Sequence, residues 1–504
     1  MCATARASRV RSGDVIGPLA SLALPAGSHH PATRAVRRTP DPVPHPSRDE
    51  RMARGRAARR LLPLAGLADA GPRGNGPAPV ELLERQARTR MPRLVPVRYG
   101  RMAASPFAFY RGAALVMTAD LATTARTDLT VQLCGDAHVA NFGIFGTPER
   151  RLLFDLNDFD ETLPGPFEWD VKRMLASVEL VARANDLNRR ARRRVLTAAA
   201  REYRTAVADF AGQRNLEVWY ARIEVEDALR ELEASAGRRV VRRTLSAVEK
   251  ARGRDHLQSV AKLTTTVDGR RRFVPDPPLV TTLAEMLGDD EANFVIQMER
   301  MVRAYRRSLQ ADRRHLLEQY RLVDMALKVV GVGSVGTRAW ILLMEGIDGD
   351  DAIVLQAKEA QASVLEEFVG ASRYHNHGER VVQGQRIMQA ASDALLGWQR
   401  SQGLDGVSRD YYVRQLRDWK GAVPLDELGE EGLRTYARLC AWTLARAHAR
   451  SGDRVAIAAY LGDTAEADEA LADFAVTYAD RTERDHRGLL AAIEDGTLPA
   501  VTGV

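Results

Sequence analysis

Residues 131 to 170, VQLCGDAHVANFGIFGTPERRLLFDLNDFDETLPGPFEWD, constrain this chain more than any other stretch. A GDAH turn, an asparagine and three closely spaced aspartates stand there among apolar runs of strand-like composition. Charged and amide side chains crowded at strand ends are costly to bury without partners. A metal ion, a phosphate or both would supply those partners. VQLCGD and RRLLFDLND read as strands that end in polar residues, joined through the turn chemistry of GIFGTPE.

The spacing inside this stretch is chemically specific. Asn141 follows Asp136 by five positions, the separation of Asp and Asn in the kinase catalytic loop H-R-D-L-x-x-x-N. In such a loop the aspartate accepts the proton of the substrate hydroxyl while the asparagine holds a metal nearby. Asp136 is therefore a candidate base and Asn141 a candidate magnesium ligand. A second metal ligand is expected at the end of the next strand, where LLFDLNDFD offers Asp155, Asp158 and Asp160. Asp155 ends the apolar run, whereas Asp158 heads an Asp-Phe-Asp triplet like a variant D-F-G, and sequence does not separate them. His138 is either a ligand or a structural hydrogen-bonder. A binuclear metallophosphatase is the sharper rival, since Asp, His and Asn can also hold two metals that activate water. It would need further histidines at strand ends, and nothing ties His375, His377 or His448 to strands.

A second motif set lies in ALKVVGVGSVGTRAWILLMEGIDGDDAIVLQAKEA. Gly331, Gly333 and Gly336 spell GxGxxG, a weak signal alone. A dinucleotide-binding fold needs a helix after such a loop, but here strand-like residues follow, giving the order strand, loop, strand, turn, strand. That order suits a kinase-like small lobe, in which a glycine hairpin with Ser334 covers the triphosphate and a third-strand lysine reaches its phosphates. Lys358 on IVLQAKEA is that lysine, and alternation puts Gln356 and Lys358 on the face opposite Leu355 and Ala357. A helix glutamate should hold the lysine: Glu366 or Glu367 first, then Glu379.

Composition limits the remaining readings. The 504 residues carry a net charge of +7, with 45% hydrophobic and 28% charged residues. The excess of arginine is concentrated before residue 60, so the rest is near neutral and nucleic-acid binding is not expected. Met52 offers an alternative start. No apolar run reaches membrane-spanning length, and three scattered cysteines suggest neither a disulfide framework nor a zinc site, so a cytoplasmic location with no membrane contact is expected. Domain organisation reads as a disordered basic tail and linker (1–80), a strand-rich segment with the catalytic-loop and metal-aspartate motifs (81–170), a helical subdomain (171–325), a small β-rich nucleotide lobe (326–425) and C-terminal helices (426–504). KLTTTVDGRRRFVPD reads as a hairpin turning at Asp268-Gly269.

CGDAHVANFG, FDLNDFDETLPGPFEWD, GVGSVGTR, LQAKEA, QGQRIMQAASD, YYVRQLRDWK and LARAHARSGD together resemble the bacterial domain-of-unknown-function 2252 family, over roughly residues 80 to 490. Its GDAHxxN and DxNDFD segments are similar to the HGDxxxxN and metal-aspartate segments of aminoglycoside phosphotransferases and other small-molecule kinases. By that resemblance Asp136 is the base, Asn141 with Asp155 or Asp158 the magnesium ligands, and Asp170 a structural aspartate at a helix start. Two departures stand out. Cys134 takes the place of a common histidine, and the catalytic loop precedes the glycine loop instead of following it. A circular permutation reconciles the order, with LARAHARSGD as the helix that normally leads into the catalytic loop. The expectation is an α+β, bilobal, protein-kinase-like fold, circularly permuted, with a large helical subdomain. Its activity would be transfer from Mg-ATP to a hydroxyl or amine acceptor; a metal-dependent phosphoesterase and a non-catalytic nucleotide-binding module are the alternatives.

Overall fold

The computed structural model describes residues 43–72, 78–227, 246, 248–249, 256–287, 291–329, 331–403, 405–416, 419, 421 and 423–503. The expected basic tail before residue 43 lies outside the described residues. Residues from Pro46 to Val504 form one compact unit, and the architecture is α+β. Among the described residues no helix is long and apolar enough to cross a membrane.

Residues 47–72 of the expected linker are folded into this unit. Ser47 caps the helix Arg48–Ala58, its hydroxyl accepting from the Glu50 amide while the Glu50 carboxylate takes the Ser47 amide, which satisfies two orphan donors at once. Leu62, Leu64 and Leu67 beyond it are buried in the largest core cluster. They sit on an irregular turn and a short 3-10 segment, Leu64–Ala68, where apolar residues follow no 3.6-residue period, so periodicity misses them.

Four long helices build the main core: Phe167–Ala184, Arg189–Gly212, Glu430–Ser451 and Glu466–Glu494. Against them lie β1 (Thr130–Leu133), β2 (Phe142–Gly146), β3 (Leu152–Leu156), β4 (Leu163–Pro166) and the short β5 (Ile223–Glu224). β1 pairs with β4, and β3 lies between β2 and β5, all antiparallel. β6 (Thr264–Val267) and β7 (Arg270–Phe273) form the hairpin expected at Asp268-Gly269, both of which adopt the positive φ that a two-residue turn demands.

The remaining strands are β8 (Val280–Thr282), β9 (Arg321–Lys328), β10 (Ala339–Glu345), β11 (Ala352–Ala360), β12 (Gly397–Gln402) and β13 (Ser408–Gln415). They make one antiparallel sheet in the order β12-β13-β11-β10-β9-β8. Both faces are covered, which is why β11 is buried throughout and reads as a nearly continuous apolar run. Ile353, Leu355 and Ala357 pack with Met301 and Tyr305 on one side, and Ala352 and Val354 with Val260 and Phe273 on the other. Lys358 falls in the alternation with the second set, opposite Tyr412 of β13 in register.

Leu67 tests whether the segment after residue 46 belongs to the folded unit. Leu67→Ala should lower the unfolding free energy by about 2–5 kcal/mol, the cost of truncating a buried leucine, read as a lower urea midpoint at constant slope. An unchanged midpoint would return this segment to linker.

Candidate active-site cleft

The buried helix Phe167–Ala184 carries the polar groups that shape the site. Asp170, Arg173 and Ser177 are spaced three and four residues apart and so share one face. Asp170 accepts from the amides of Cys134 (2.6 Å) and Gly135 (3.0 Å), and Ser177 Oγ accepts from the Val139 amide (2.9 Å). Arg173 donates Nε to Asp136 Oδ1 at 2.6 Å, with Nη2 2.5 Å from the same oxygen. Three successive side chains thus hold the GDAHV loop at both ends and in the middle. Behind Asp170, His448 Nε2 lies 3.4 Å away while its Nδ1 meets the Tyr203 hydroxyl at 2.8 Å. Gly135 has φ +80, and a Cβ there would run into the Glu161 carbonyl, so no other residue fits.

Asp136 faces a cleft of about 820 Å³ that is also lined by His138, Asn141, Asp158, Asp160, Gly331, Gly333 and Ser334. The two motif sets therefore meet, and Asp160 joins them. Its Oδ2 accepts from Lys358 Nζ at 2.7 Å, across 198 residues of sequence, and from the Ser334 hydroxyl at 3.1 Å. Its Oδ1 accepts from the Tyr412 hydroxyl at 2.6 Å. Lys358 also lies 3.8 Å from Asp158 Oδ1.

The electrostatics of these groups diverge. Burial lifts the Asp136 carboxyl to about 6, against the pull of the Arg173 guanidinium. Burial also opposes the charge on Asp160, but Lys358 and the Tyr412 hydroxyl outweigh it and hold the carboxyl at about 2. Asp158 is pushed above the usual carboxylate range by burial and by the neighbouring Asp160. The Lys358 ammonium, though buried, is held above its ordinary value by Asp158 and Asp160. Burial drives His138 well below its usual range, so it is neutral. It lies edge-on to Phe107 at 6.2 Å, with Nε2 3.8 Å from Asp136 Oδ2.

The glycine loop is anchored by its carbonyls. Arg101 Nη1 donates to Gly331 O and Arg90 Nη1 to Val335 O, each at 2.5 Å, and the Met91 amide donates to Gly336 O at 2.7 Å. Gly331 (φ +67) and Gly336 (φ +90) hold conformations that favour glycine. Tying the carbonyls to cations leaves the amide side of the loop as the one suited to an anion.

Two expected site residues lie elsewhere. Asp155 is fully buried: its Oδ1 pairs with Arg446 and accepts from the Leu156 amide, and its Oδ2 accepts from the Ala390 amide at 2.9 Å. Both oxygens are engaged, so Asp155 braces the core and Asp158 is the metal candidate. Glu366 does not reach Lys358. It accepts from the Ser363 amide at 3.1 Å in its own short turn and sits 3.8 Å from His377 and from Arg380. Glu367 instead pairs with Arg85 at 2.8 Å, and Asp160 and Asp158 are the carboxylates beside the lysine.

The donor set suits a phosphate-bound divalent cation. Asp158 Oδ1 is buried with no hydrogen-bond partner among the described residues. Asn141 Nδ2 is committed to Asp136 O at 2.7 Å, leaving its oxygen for a cation. Among the described residues no three His, Cys, Asp or Glu side chains gather as a ligand group, so phosphate oxygens would have to complete the shell.

Over residues 90–492 the sequence matches the family described as "uncharacterized protein conserved in bacteria (DUF2252)". The chain belongs to this family. No curated protein and no solved structure gives a significant match. The DUF2252 region holds Asp136, Asn141, Asp158, Asp160, the glycine loop, Lys358 and Tyr412, and begins at Arg90 in the glycine-loop anchor.

Arg173 lies in none of the quoted motifs, and although Asp160 and Tyr412 do, the junction that joins them to Lys358 and Ser334 is not visible in either stretch. Arg173 stands three residues after Asp170 in a run that reads locally as an apolar helix. Only the pairing of Tyr412 with Lys358 across strands brings it to the site.

Arg446→Met separates the bracing role of Asp155 from a ligand role. Removing one partner of a buried ion pair should cost about 3–5 kcal/mol in urea unfolding, with any divalent-cation binding per folded molecule unchanged. Weaker metal binding at unchanged stability would restore Asp155 to the site.

Proposed function

We propose that this chain is a kinase-like phosphotransferase that uses Mg-ATP to modify a hydroxyl or amine acceptor, in a bilobal, circularly permuted fold. The observation that carries this reading is the junction at Asp160, where Ser334 of the glycine loop and Lys358 of β11 meet the acidic cluster. Such a junction is what a single triphosphate site requires. The permuted order is supported at its joint. Ser451 Oγ, at the end of the helix Glu430–Ser451, accepts from the Gln132 amide at 3.1 Å, so that helix ends beside the strand leading into the GDAH loop.

In this reading the glycine loop and Lys358 bind the nucleotide phosphates, and Asp158 with Asn141 holds the cation. The bound cation supplies charge neutralisation on the phosphates. Asp136 orients the acceptor with Oδ2, since Arg173 occupies Oδ1, and takes its proton as the acceptor atom bonds to the terminal phosphorus and the bond to the leaving diphosphate breaks. A carboxyl poised at about 6 suits that task near neutral pH. Neutral His138 adds no competing charge. This reading expects a cytoplasmic setting, in which the buried thiols of Cys134 and Cys440 stay reduced.

The alternatives draw less support. A binuclear phosphoesterase needs several side-chain ligands per metal, which the described residues do not gather. A non-catalytic nucleotide-binding module would share the loop and lysine but has no use for Asp136 at the cleft wall.

Two outcomes test the proposal. Millimolar Mg-ATP should raise the thermal midpoint by a few degrees in a magnesium-dependent way, and Lys358→Ala should remove the shift; no shift in the wild type sinks the reading. Once an acceptor is in hand, kcat/KM should fall below a pH of about 6 as Asp136 becomes protonated. Asp136→Asn should abolish that limb and lower turnover by about 10²–10⁴-fold.

A further inference from the structure

One group of cations at the cleft makes no direct ion pair among the described residues. Lys358 pairs with Asp160 (2.7 Å), Arg85 with Glu367 (2.8 Å), Arg400 with Asp410 (2.6 Å) and Arg409 with Asp405 (2.6 Å). Arg90, Arg98 and Arg111 enter no ion pair among the described residues. Arg90 bonds to the Val335 carbonyl, and Arg98 to Gln86 Oε1 (2.6 Å) and the Gly112 carbonyl (2.9 Å). Arg90 Nε, Arg98 Nε and Nη1, and Arg111 Nε are buried without hydrogen-bond partners among the described residues.

Arg90 is 8% exposed and Arg98 0%, and burying guanidinium groups without compensation is costly. Their placement gives that cost a purpose. Arg90 and Arg111 line the cleft, as do Gln86 and Gly112, the two residues that Arg98 holds from behind. The carbonyl of Arg111 lies 3.1 Å from where a Cβ on Gly333 would be, so the glycine loop passes directly over it. The acidic groups whose fields reach Arg111 are Asp136 and Asp158. The Tyr110 carbonyl, one residue before Arg111, accepts from Arg173 Nη2 at 2.9 Å, the guanidinium that also holds Asp136, so Arg111 follows a residue anchored beside the base, whereas Lys358 and Ser334 meet Asp160.

We propose that Arg111, backed by Arg90 and Arg98, forms an oxyanion subsite at the Asp136 end of the cleft, and that it receives a phosphate group carried by the acceptor. The acceptor assignment rests on the phosphotransferase reading, but the subsite does not. Guanidinium groups favour phosphate through their planar fork of donors, and a dianion compensates several of them at once. The acceptor class is then a phosphorylated small molecule bearing a free hydroxyl or amine.

Inorganic phosphate is the probe, titrated calorimetrically into the full chain with and without a saturating non-hydrolysable ATP analogue and magnesium. Wild type should bind phosphate in both conditions, and Arg111→Met should weaken it by about tenfold or more while changing analogue affinity by less than about threefold. Arg111→Lys, which keeps charge but loses the fork, should fall between the two and serves if the methionine variant does not fold. Unchanged phosphate affinity in the variants, or no phosphate binding in wild type, overturns the subsite. Displacement of phosphate by the analogue overturns the acceptor assignment and gives Arg111 to the nucleotide. Arg111-dependent phosphate binding in a protein that ignores the analogue would keep the subsite and defeat the phosphotransferase reading.

Discussion

The ion pair between Lys358 and Asp160 ties together parts of the chain that have no local reason to meet. The lysine is at the end of a strand whose neighbours are almost all apolar, and it is itself 3% exposed. An ammonium in that position is tolerable only with a carboxylate in contact and further bonds to satisfy both. Tyr412 and Ser334 provide those bonds to the carboxylate. Arg380 then fixes the backbone around it, donating to the carbonyls of Asp160 (2.8 Å), Thr162 (2.7 Å) and Gln361 (2.8 Å). The acidic loop, the glycine loop, β11, β13 and the helix His377–Met388 are thereby joined through one residue, four by its carboxylate and the helix by its backbone carbonyl.

The second constraint comes from within the helical core. A helix buried nearly all round is normally apolar, yet Phe167–Ala184 buries Glu168, Asp170, Lys172, Arg173, Ser177 and Glu179. Each has a partner, and three of them grip the GDAHV loop. Because the helix is locked into the core by its apolar residues, the loop inherits its rigidity. Preorganisation of this kind is what allows a carboxylate to keep its orientation as charge moves nearby. The bond from Arg173 selects which Asp136 oxygen is structural and which one faces the cleft.

Much of this was legible in sequence because it is local. The alternation of β11 placed Lys358 on the correct face, and the Asp-Gly pair marked the β6–β7 turn. The grouping of Asp136, Asn141 and Asp158 followed from spacing alone. The choice among Asp155, Asp158 and Asp160 did not, since residues of one type within six positions differ only in what lies across from them. Asp155 sits within β3, opposite Gly143, and meets Arg446 from a helix near the other end of the chain. Likewise the glutamate expected for Lys358 was inferred from a kinase order of elements, whereas here the acidic loop reaches the lysine first. The helix Arg48–Ala58 escaped because its burial depends on contact with a C-terminal helix, Arg454–Leu461: a Cβ on Gly55 would clash with the Ala456 carbonyl. A glycine that reads locally as a helix weakener is in fact a point of close approach.

The distribution of charge gives the cleft a direction. Asp158, Asp160 and Lys358 form a cluster in which each charge has an opposite close by, and such a cluster changes little when a neutral species enters. The wall made by Arg90, Arg98 and Arg111 is different, because Arg90 and Arg98 donate to carbonyl and amide oxygens and all three guanidinium groups keep buried donors without a partner among the described residues. Guanidinium groups without direct ion pairs on one wall favour an anion there, and the carboxyl of Asp136, raised to about 6 by burial, stands beside them. That anion would also pull its own remaining hydroxyl or amine toward Asp136. Specificity at this site would then come less from shape than from an unpaired cation that only the correct acceptor completes, because a ligand lacking the anionic group leaves the buried donors unanswered.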